Sequence, residues 1–509
     1  MSRGKAVTLL DAGNTLETSI QEFLNSNQKR PFEEWNWDTL KAFQAKSSIS
    51  QKGFEKKLVY GSDFPYRDHE KYCPRDEVGV QTHVSFAQGG FSNVWGANML
   101  PYCSNDIDDK WPIKSKEMAP HYESVLQFVP TTGEHDHLES QFPLHTTQAQ
   151  AFRRSRQGEH LHRQLSSKRD ELLKKGFIFG SSRLAVDLNK KRGLPCEFCG
   201  MCLYGCPNEL IYTSRHSLQD LLQDKRLTYT PGVIVERVSE SENSVLIEAH
   251  STQGEKLEFK GERLFLAAGP ISTTKILLKS MNAYGRTFKM LDSQYFLFPF
   301  ISLKGQKDVE QERLHTLSQI FMEVVNKEIC SRTVHLQFYS YNNAYPKAFQ
   351  SMLGRFYSLF EKPIRRFMGR VYLVQGYLHS DFSSTIDVSL EKGDEGLDQL
   401  SLKKNVNEEV KITIRRISKF LLRQWKLLGG VPVIPKTQIF APGASNHIGG
   451  TFPMREKPQR TFETDRLGRL KGYSRVHAVD SSIFPSIPGT TMTLTTMANA
   501  YRIGMESPN

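Results

Sequence analysis

The chain has 509 residues, 38% of them hydrophobic and 24% charged, with a formal net charge of +12. That length exceeds one simple core and sets two or more domains as the expectation, while the composition excludes collagen-like, low-complexity and disordered classes. The basic balance favours an acidic partner, an anionic cofactor or a membrane surface; the lysines and arginines are dispersed, with no RNA-binding signature or helix-turn-helix, which argues against nucleic acid.

The N-terminal stretch MSRGKAVTLLDAG has neither the apolar core nor the cleavage site of a signal peptide. No uninterrupted apolar run approaches membrane-spanning length. Seven cysteines are present, four of them within Cys196–Cys206. An odd total with one cluster points to a reducing compartment rather than a disulfide framework. The expectation is a cytoplasmic protein, with contact to the inner face of a membrane left open.

Residues 6–13, AVTLLDAG, read as a buried parallel strand ending in an acid and a glycine. In a dinucleotide-binding fold the second strand ends this way, and its acid bonds a ribose hydroxyl. Asp11 is the candidate, although on these residues alone a plain Asp-Ala-Gly turn is the favoured reading. A first strand with a Gly-x-Gly-x-x-Gly turn belongs roughly 20 residues upstream of such an acid. Only ten residues precede Asp11, and they contain no such turn. Two readings follow: a gene start placed too late, which we favour, or a lost pyrophosphate loop.

Residues 86–102, FAQGGFSNVWGANMLPY, hold a small-residue loop around Trp95. Glycines there let backbone approach a flat ring closely, and Ser92 and Asn93 offer hydrogen bonds to a polar rim. An ordinary surface loop is the alternative, weakened by Phe91 and Trp95. The charged stretch 150–176 reads as a solvated helix face.

Cys196, Cys199, Cys202 and Cys206-Pro207 follow the C-x2-C-x2-C-x3-C-P spacing of the bacterial ferredoxin run. An iron–sulfur cluster and a set of buried or redox-paired thiols are both open at this point. A single cluster would need Cys206 itself or a remote cysteine among Cys73, Cys103 and Cys330.

Residues 227–238 read as a strand pair, and 263–278, RLFLAAGPISTTKILL, as strand, small-residue loop and helix. Alternating apolar strands and helices indicate a mainly parallel sheet. From about 290 to 445 the texture changes to aromatic β-type runs at 295–303, 333–341 and 371–379, which suggests an antiparallel sheet in a second domain. Within it, 347–368 mixes aromatic and basic residues at near-helical spacing, with a break expected at Pro363. A helix packed on its own sheet is favoured over an interfacial helix or a lid. Residues 445–454, SNHIGGTFPM, place His447 before a Gly-Gly turn. The segment 476–504 reads as a strand to Asp480, a loop through Pro485, Pro488 and Gly489, and a helix from Thr493 to Ile503. Free N–H groups at such a loop suit a phosphate or a flavin.

In this order, GGFSNVWG, LAAGPISTTKILL, HIGGTFPM and VDSSIFPSIPG with TLTTMANA resemble the glucose–methanol–choline (GMC) oxidoreductase family. The resemblance implies an α/β fold: a Rossmann-type FAD-binding domain with an inserted antiparallel-sheet substrate domain. The implied division assigns 1–100, 175–290 and 455–509 to the FAD-binding domain, 101–174 to a connecting helical segment and 291–454 to the substrate domain. It implies oxidation of a CH–OH group of a sugar or other alcohol, with hydride passing to flavin N5. His447 would be the base, with Asn446 and Thr491 beside it. FAD would meet Asp11, Gly13, Gly89, Gly90, Ser92, Asn93, Trp95, Val235, Ala268, Gly269, Asp480 and Thr490. An iron–sulfur cluster on the four spaced cysteines would pass electrons to an acceptor protein. The basic, aromatic insert hints at a lipid-linked substrate. Two departures stand out. The Gly-rich loop is absent from the sequence, and Thr491 occupies a place where the family usually has Asn or His. They motivate the alternatives of a non-catalytic binding or scaffold subunit and of a flavin-dependent reductase.

Overall fold

The computed structural model describes residues 3–46, 48–51, 54–189, 194–393 and 398–508. Two parallel strand pairs form the α/β part. β1 (Val7–Asp11) lies beside β2 (Leu227–Pro231), in register from Val7↔Leu227 to Asp11↔Pro231. β3 (Leu264–Leu266) lies beside β4 (Val476–Ala478). The expected strand over 6–13 is therefore present and parallel, but it is not buried. Val7 is 37% and Leu9 40% exposed, and Phe265 on β3 is 42% exposed. Among the described residues neither β1 nor β3 has a second strand neighbour. A parallel strand flanked on one side only leaves apolar side chains uncovered.

The expected pair at 227–238 also differs. Leu227–Pro231 pairs with β1, and Val233–Glu240 instead starts a three-stranded antiparallel meander with Val245–Ser251 and Lys256–Gly261. Gly232, at φ +78°, supplies the turn between the two partners. β3 leads through Gly269 into α1 (Pro270–Ser280), with Pro270 at the first helical position, where its missing N–H costs nothing.

The aromatic runs form one antiparallel sheet. Its order is Gly430–Pro432, Tyr295–Ser302, Val371–Tyr377, Val334–Tyr339, Ile320–Val324 and Phe177–Ser181. The last strand comes from outside 291–454. Phe296, Phe298 and Phe300 alternate inward along their strand, as a period of two requires. Against them packs the helix Glu409–Arg423 through Val410, Ile414, Ile417 and Leu421. A second antiparallel sheet runs Ile448–Gly449, Phe288–Asp292, Thr385–Lys392, Asp398–Asn405, with Arg75–Val78 added in parallel. It delivers the residues after His447 to the edge of the first sheet.

The stretch 347–368 forms α2 (Ala344–Leu353) and α3 (Glu361–Met368). The break falls at Gly354, φ +52°, rather than at Pro363. Pro363 sits in the first turn of α3, where a helix has no use for its N–H. The C-terminal helix, Thr493–Glu506, and the loop before it are buried through Ile483, Phe484, Ile487 and Leu494. Among the described residues no helix is long and apolar enough to cross a membrane.

Candidate active site

His447 is held by its backbone. Ser293 N–H donates to the His447 carbonyl at 3.0 Å. The His447 N–H donates to Ser445 Oγ at 3.0 Å. Ser445 Oγ donates to Asp292 Oδ1 at 3.2 Å, and the same oxygen accepts from Gly443 N–H at 3.0 Å. Asp292 is thus the post on which the turn before His447 is hung. Its burial pushes the carboxyl up to about 7, and Oδ2 has no protein partner.

Burial pushes the His447 imidazole down to about 4, and the nearby His335 adds to the shift. At neutral pH the ring is therefore uncharged and able to accept a proton. Its Nδ1 finds no partner among the described residues. The ring stacks on Tyr377, with centroids 5.2 Å apart and planes at 27°. Asn446, expected to help, adopts a left-handed backbone at φ +57° and takes a hydrogen bond from His83 Nδ1 at 3.2 Å. Its amide is engaged with His83.

Beside this ring lies a polar row that sequence reading missed. His335 Nδ1 donates to Glu323 Oε1 at 2.6 Å, and both side chains are fully buried. Gln337 Nε2 donates to His335 Nε2 at 2.9 Å. Gln337 Oε1 in turn accepts from Asn98 Nδ2 at 2.9 Å and Tyr339 Oη at 3.0 Å. Ser318 Oγ closes the row on Asn98 Oδ1 at 2.6 Å. Burial raises the Glu323 carboxyl against the pull of His335. His335, Gln337 and Tyr339 share one strand face at a spacing of two, which was a readable signal. Their cross-strand partners Tyr377, Gln375 and Leu373 were not readable, because pairing register is a tertiary property.

The C-terminal loop meets the same tyrosine. A Cβ on Gly489 would stand 2.7 Å from the Tyr377 carbonyl oxygen and 3.1 Å from that of Thr333, so only glycine allows this approach. Two residues on, Thr491 Oγ1 accepts from the Leu100 N–H at 2.7 Å and is buried. Its acceptor role toward Leu100 makes it a positioning residue. Thr490 Oγ1 is buried with no protein partner. His447 and the 489–491 turn are thus brought to the same residue, Tyr377.

The residues expected to meet a cofactor gather along the parallel strands. Asp11 Oδ2 accepts from Tyr229 Oη at 3.0 Å, and Gln88 Nε2 donates to that same phenol at 3.1 Å. Burial raises the Asp11 carboxyl, and the Tyr229 bond opposes this. Gly13, φ +75°, passes close to Pro231 and Tyr229. Asn14 N–H donates to the Phe86 carbonyl at 3.0 Å and Gln88 N–H to the Asn14 carbonyl at 2.9 Å, which ties the Asp11 strand end to the glycine loop. Gly90 and Gly269 both have positive φ and open space where a Cβ would stand. Ala268 beside Gly269 is exposed, and Val235 lies at a β-bulge in the meander. These open positions, next to an acid at a strand end, fit an extended group with a phosphate or ring system that approaches backbone closely.

Other side chains in that set are engaged within the protein. Ser92 Oγ bonds the Gly89 carbonyl, Thr213 and Ser214. Asn93 Nδ2 donates to the Gln88 and Gly90 carbonyls, and Trp95 Nε1 to the Tyr212 carbonyl at 2.8 Å. They brace the loop. Asp480 accepts from Thr273 Oγ1 at 2.5 Å and Ser482 N–H at 2.9 Å, which fastens the start of α1 to the C-terminal segment.

The cysteine expectation receives no support. Among the described residues, no group of three or more His, Cys, Asp or Glu side chains is drawn together to hold a metal ion. Cys196, Cys199, Cys202 and Cys206 are free thiols packed against the core. Burial pushes Cys196 up to about 12 and Cys206 up to about 11, and keeps Cys199 and Cys202 high as well. Spacing in sequence did not reveal that desolvation.

Residues 436–500, which include His447, Asp480 and Thr491, match the GMC oxidoreductase family model. No curated protein matches the chain in sequence. Among solved structures it is similar to pyridoxine 4-oxidase from Mesorbium loti, at 14% identity and a TM-score of 0.59, covering 99% of this chain and 94% of that one. It is also similar to an FAD-dependent oxidoreductase from Chaetomium thermophilum, solved with a bound fragment, at 10% identity and a TM-score of 0.55, covering 98% of each. The fold is therefore a Rossmann-type α/β domain joined to an antiparallel-sheet domain. Residues 436–500 also resemble the C-terminal part of the GMC oxidoreductases.

Proposed function

We propose that the chain is an FAD-dependent oxidoreductase that oxidises a CH–OH group of a sugar or other alcohol. The observation that carries this reading is the uncharged His447 ring, with a free Nδ1, stacked on Tyr377 inside the segment that matches the oxidoreductase family. Asp11, Gly13, Gly90, Ala268 and Gly269 would hold FAD through strand ends and open backbone, with Gly89, Ser92, Asn93, Trp95 and Asp480 shaping the walls and Val235 beside them. FAD, when bound, supplies the two-electron acceptor for a hydride.

The protein's own work is then proton handling and orientation. His447 takes the hydroxyl proton, because its lowered basicity keeps it unprotonated until it meets substrate. Tyr377 fixes the plane of the ring. Gln337 and Asn98, locked to each other and to His335 and Ser318, keep this polar wall rigid. Thr491 positions the Leu100 backbone.

The test uses the full chain with added FAD and candidate alcohols. Flavin absorption that co-purifies or titrates in, and that bleaches with an alcohol, supports the reading. His447→Ala should keep FAD binding and lose bleaching. A folded protein that takes up no FAD, or a His447→Ala variant that bleaches as the parent does, rejects it.

A further inference from the structure

We propose that the segment from Gly354 through α3 docks on an anionic lipid surface. The segment is apolar on two sides. One stripe, Leu353, Tyr357, Ile364 and Met368, packs inward against Tyr341, Tyr345 and Val371. That stripe is sufficient to hold the segment to its sheet. The other stripe is exposed along most of its length, and Phe367 at its end leans edge-on against Phe349, with centroids 6.1 Å apart. Phe356 is 49%, Leu359 72%, Phe360 54% and Phe367 38% exposed, with exposed Pro363 between them. Phe356, Leu359 and Phe360 fall in two short 3-10 turns and Pro363 and Phe367 on α3, and together they make an exposed apolar ridge along the segment. A ridge of this kind on a chain in water is costly, so it calls for a covering surface.

The charge around the ridge says what covers it. Between residues 344 and 370 the sequence carries Lys347, Arg355, Lys362, Arg365, Arg366 and Arg370 against a single acid, Glu361. Arg365 is answered by Glu361 and Glu310. Arg355, Lys362 and Arg366 are exposed and have no ion pair among the described residues. An apolar ridge edged with long cationic side chains matches an anionic headgroup layer above acyl chains. The aromatic and aliphatic groups enter the boundary while the cations remain at headgroup level. Each such cation is attracted to an anionic surface, and the attraction falls with salt. A free phosphate would engage the cations and leave the ridge uncovered.

The test is co-sedimentation of the full chain with phosphatidylcholine vesicles, with and without phosphatidylglycerol, in low salt. The expected result is partition onto the anionic vesicles only, weakened by added salt and unaffected by inorganic phosphate at matched ionic strength. The double variant Leu359→Asp/Phe360→Asp should lose roughly tenfold or more of that partition, and Lys362→Glu/Arg366→Glu a comparable amount. Should the aspartate pair impair folding, Phe360→Trp gives an independent readout: its emission should shift to the blue on anionic vesicles. Partition unaffected by either double variant in folded protein, no partition at all, competition by phosphate, or self-association through the ridge without vesicle binding would each overturn the proposal.

Discussion

His447 lies on the ring of Tyr377, and Tyr377 is itself the cross-strand partner of His335. One phenol therefore meets His335 from its own sheet and His447 from the turn before Ile448–Gly449. The Gly489 backbone presses on the carbonyl of the same residue. Three distant segments are set relative to one another by this side chain and its peptide group.

Tyr377 is the first test. Tyr377→Phe keeps the stack and loses only the hydroxyl bond to Gln375, so turnover should stay close to the parent value. Tyr377→Ala removes a buried aromatic ring and should cost about 3–5 kcal/mol, with turnover lost beyond the loss of folded protein. Thermal unfolding alongside steady-state rates separates the two effects; equal activity in both variants would contradict the positioning role.

Asp292 makes a pH prediction. Its folded-state pKa, about 7, lies above the ordinary value for an aspartate, so the folded protein holds the proton more tightly than the unfolded chain. Stability contributed by this group is present below the ordinary value near ~4 and is lost as pH rises through about 7. A shift of this size corresponds to roughly 4 kcal/mol at most. Asp292→Asn keeps an acceptor for Gly443 and Ser445 and removes the titration. Urea unfolding at acidic and mildly alkaline pH should show the variant gaining on the parent as pH rises. Parallel stability profiles would argue against it.

The His447 shift runs the other way for its own group. The folded ring gains a proton only near pH 4, whereas an ordinary histidine does so near ~6.5. The base form thus persists into acid. The acid limb of kcat/KM should fall near pH 4 to 5, well below that of an ordinary histidine. Because the unfolded ring protonates first, stability attributable to this residue falls as pH drops from ~6.5 toward 4. A limb at ordinary histidine pH would remove His447 as the base or show that its site is wetter than this structure.

Thr491→Val tests a structural role at a position where chemistry was expected. The replacement has nearly the same shape, but it leaves the buried Leu100 N–H without its acceptor. The expected loss is about 1–3 kcal/mol of stability. Thr491→Ser, which keeps the hydroxyl, should recover most of it. A catalytic threonine would instead show lost turnover with unchanged unfolding.

Much of the plan was visible in linear order. Apolar runs marked β1, β3 and β4, and the aromatic alternation of 295–303, 333–341 and 371–379 marked one antiparallel sheet. His447 was found by its motif. What misled was anything that depends on neighbours. The run at 6–13 looked like a buried strand because its residues are apolar, yet among the described residues a single strand flanks it and Val7 and Leu9 are exposed. The cysteine spacing left a cluster and plain thiols open, and among the described residues it gains no support as a metal site.

By itself the sequence determined local preferences: which stretches extend, which coil, and where a glycine or proline must turn the chain. Those depend on a few adjacent residues. The tertiary structure alone decided that Tyr377, His335, Asp292 and Gly489 surround or support His447, because register and burial arise between segments far apart in the chain. The same holds for proton affinity: a histidine and an aspartate have ordinary pKa values until packing removes water from around them.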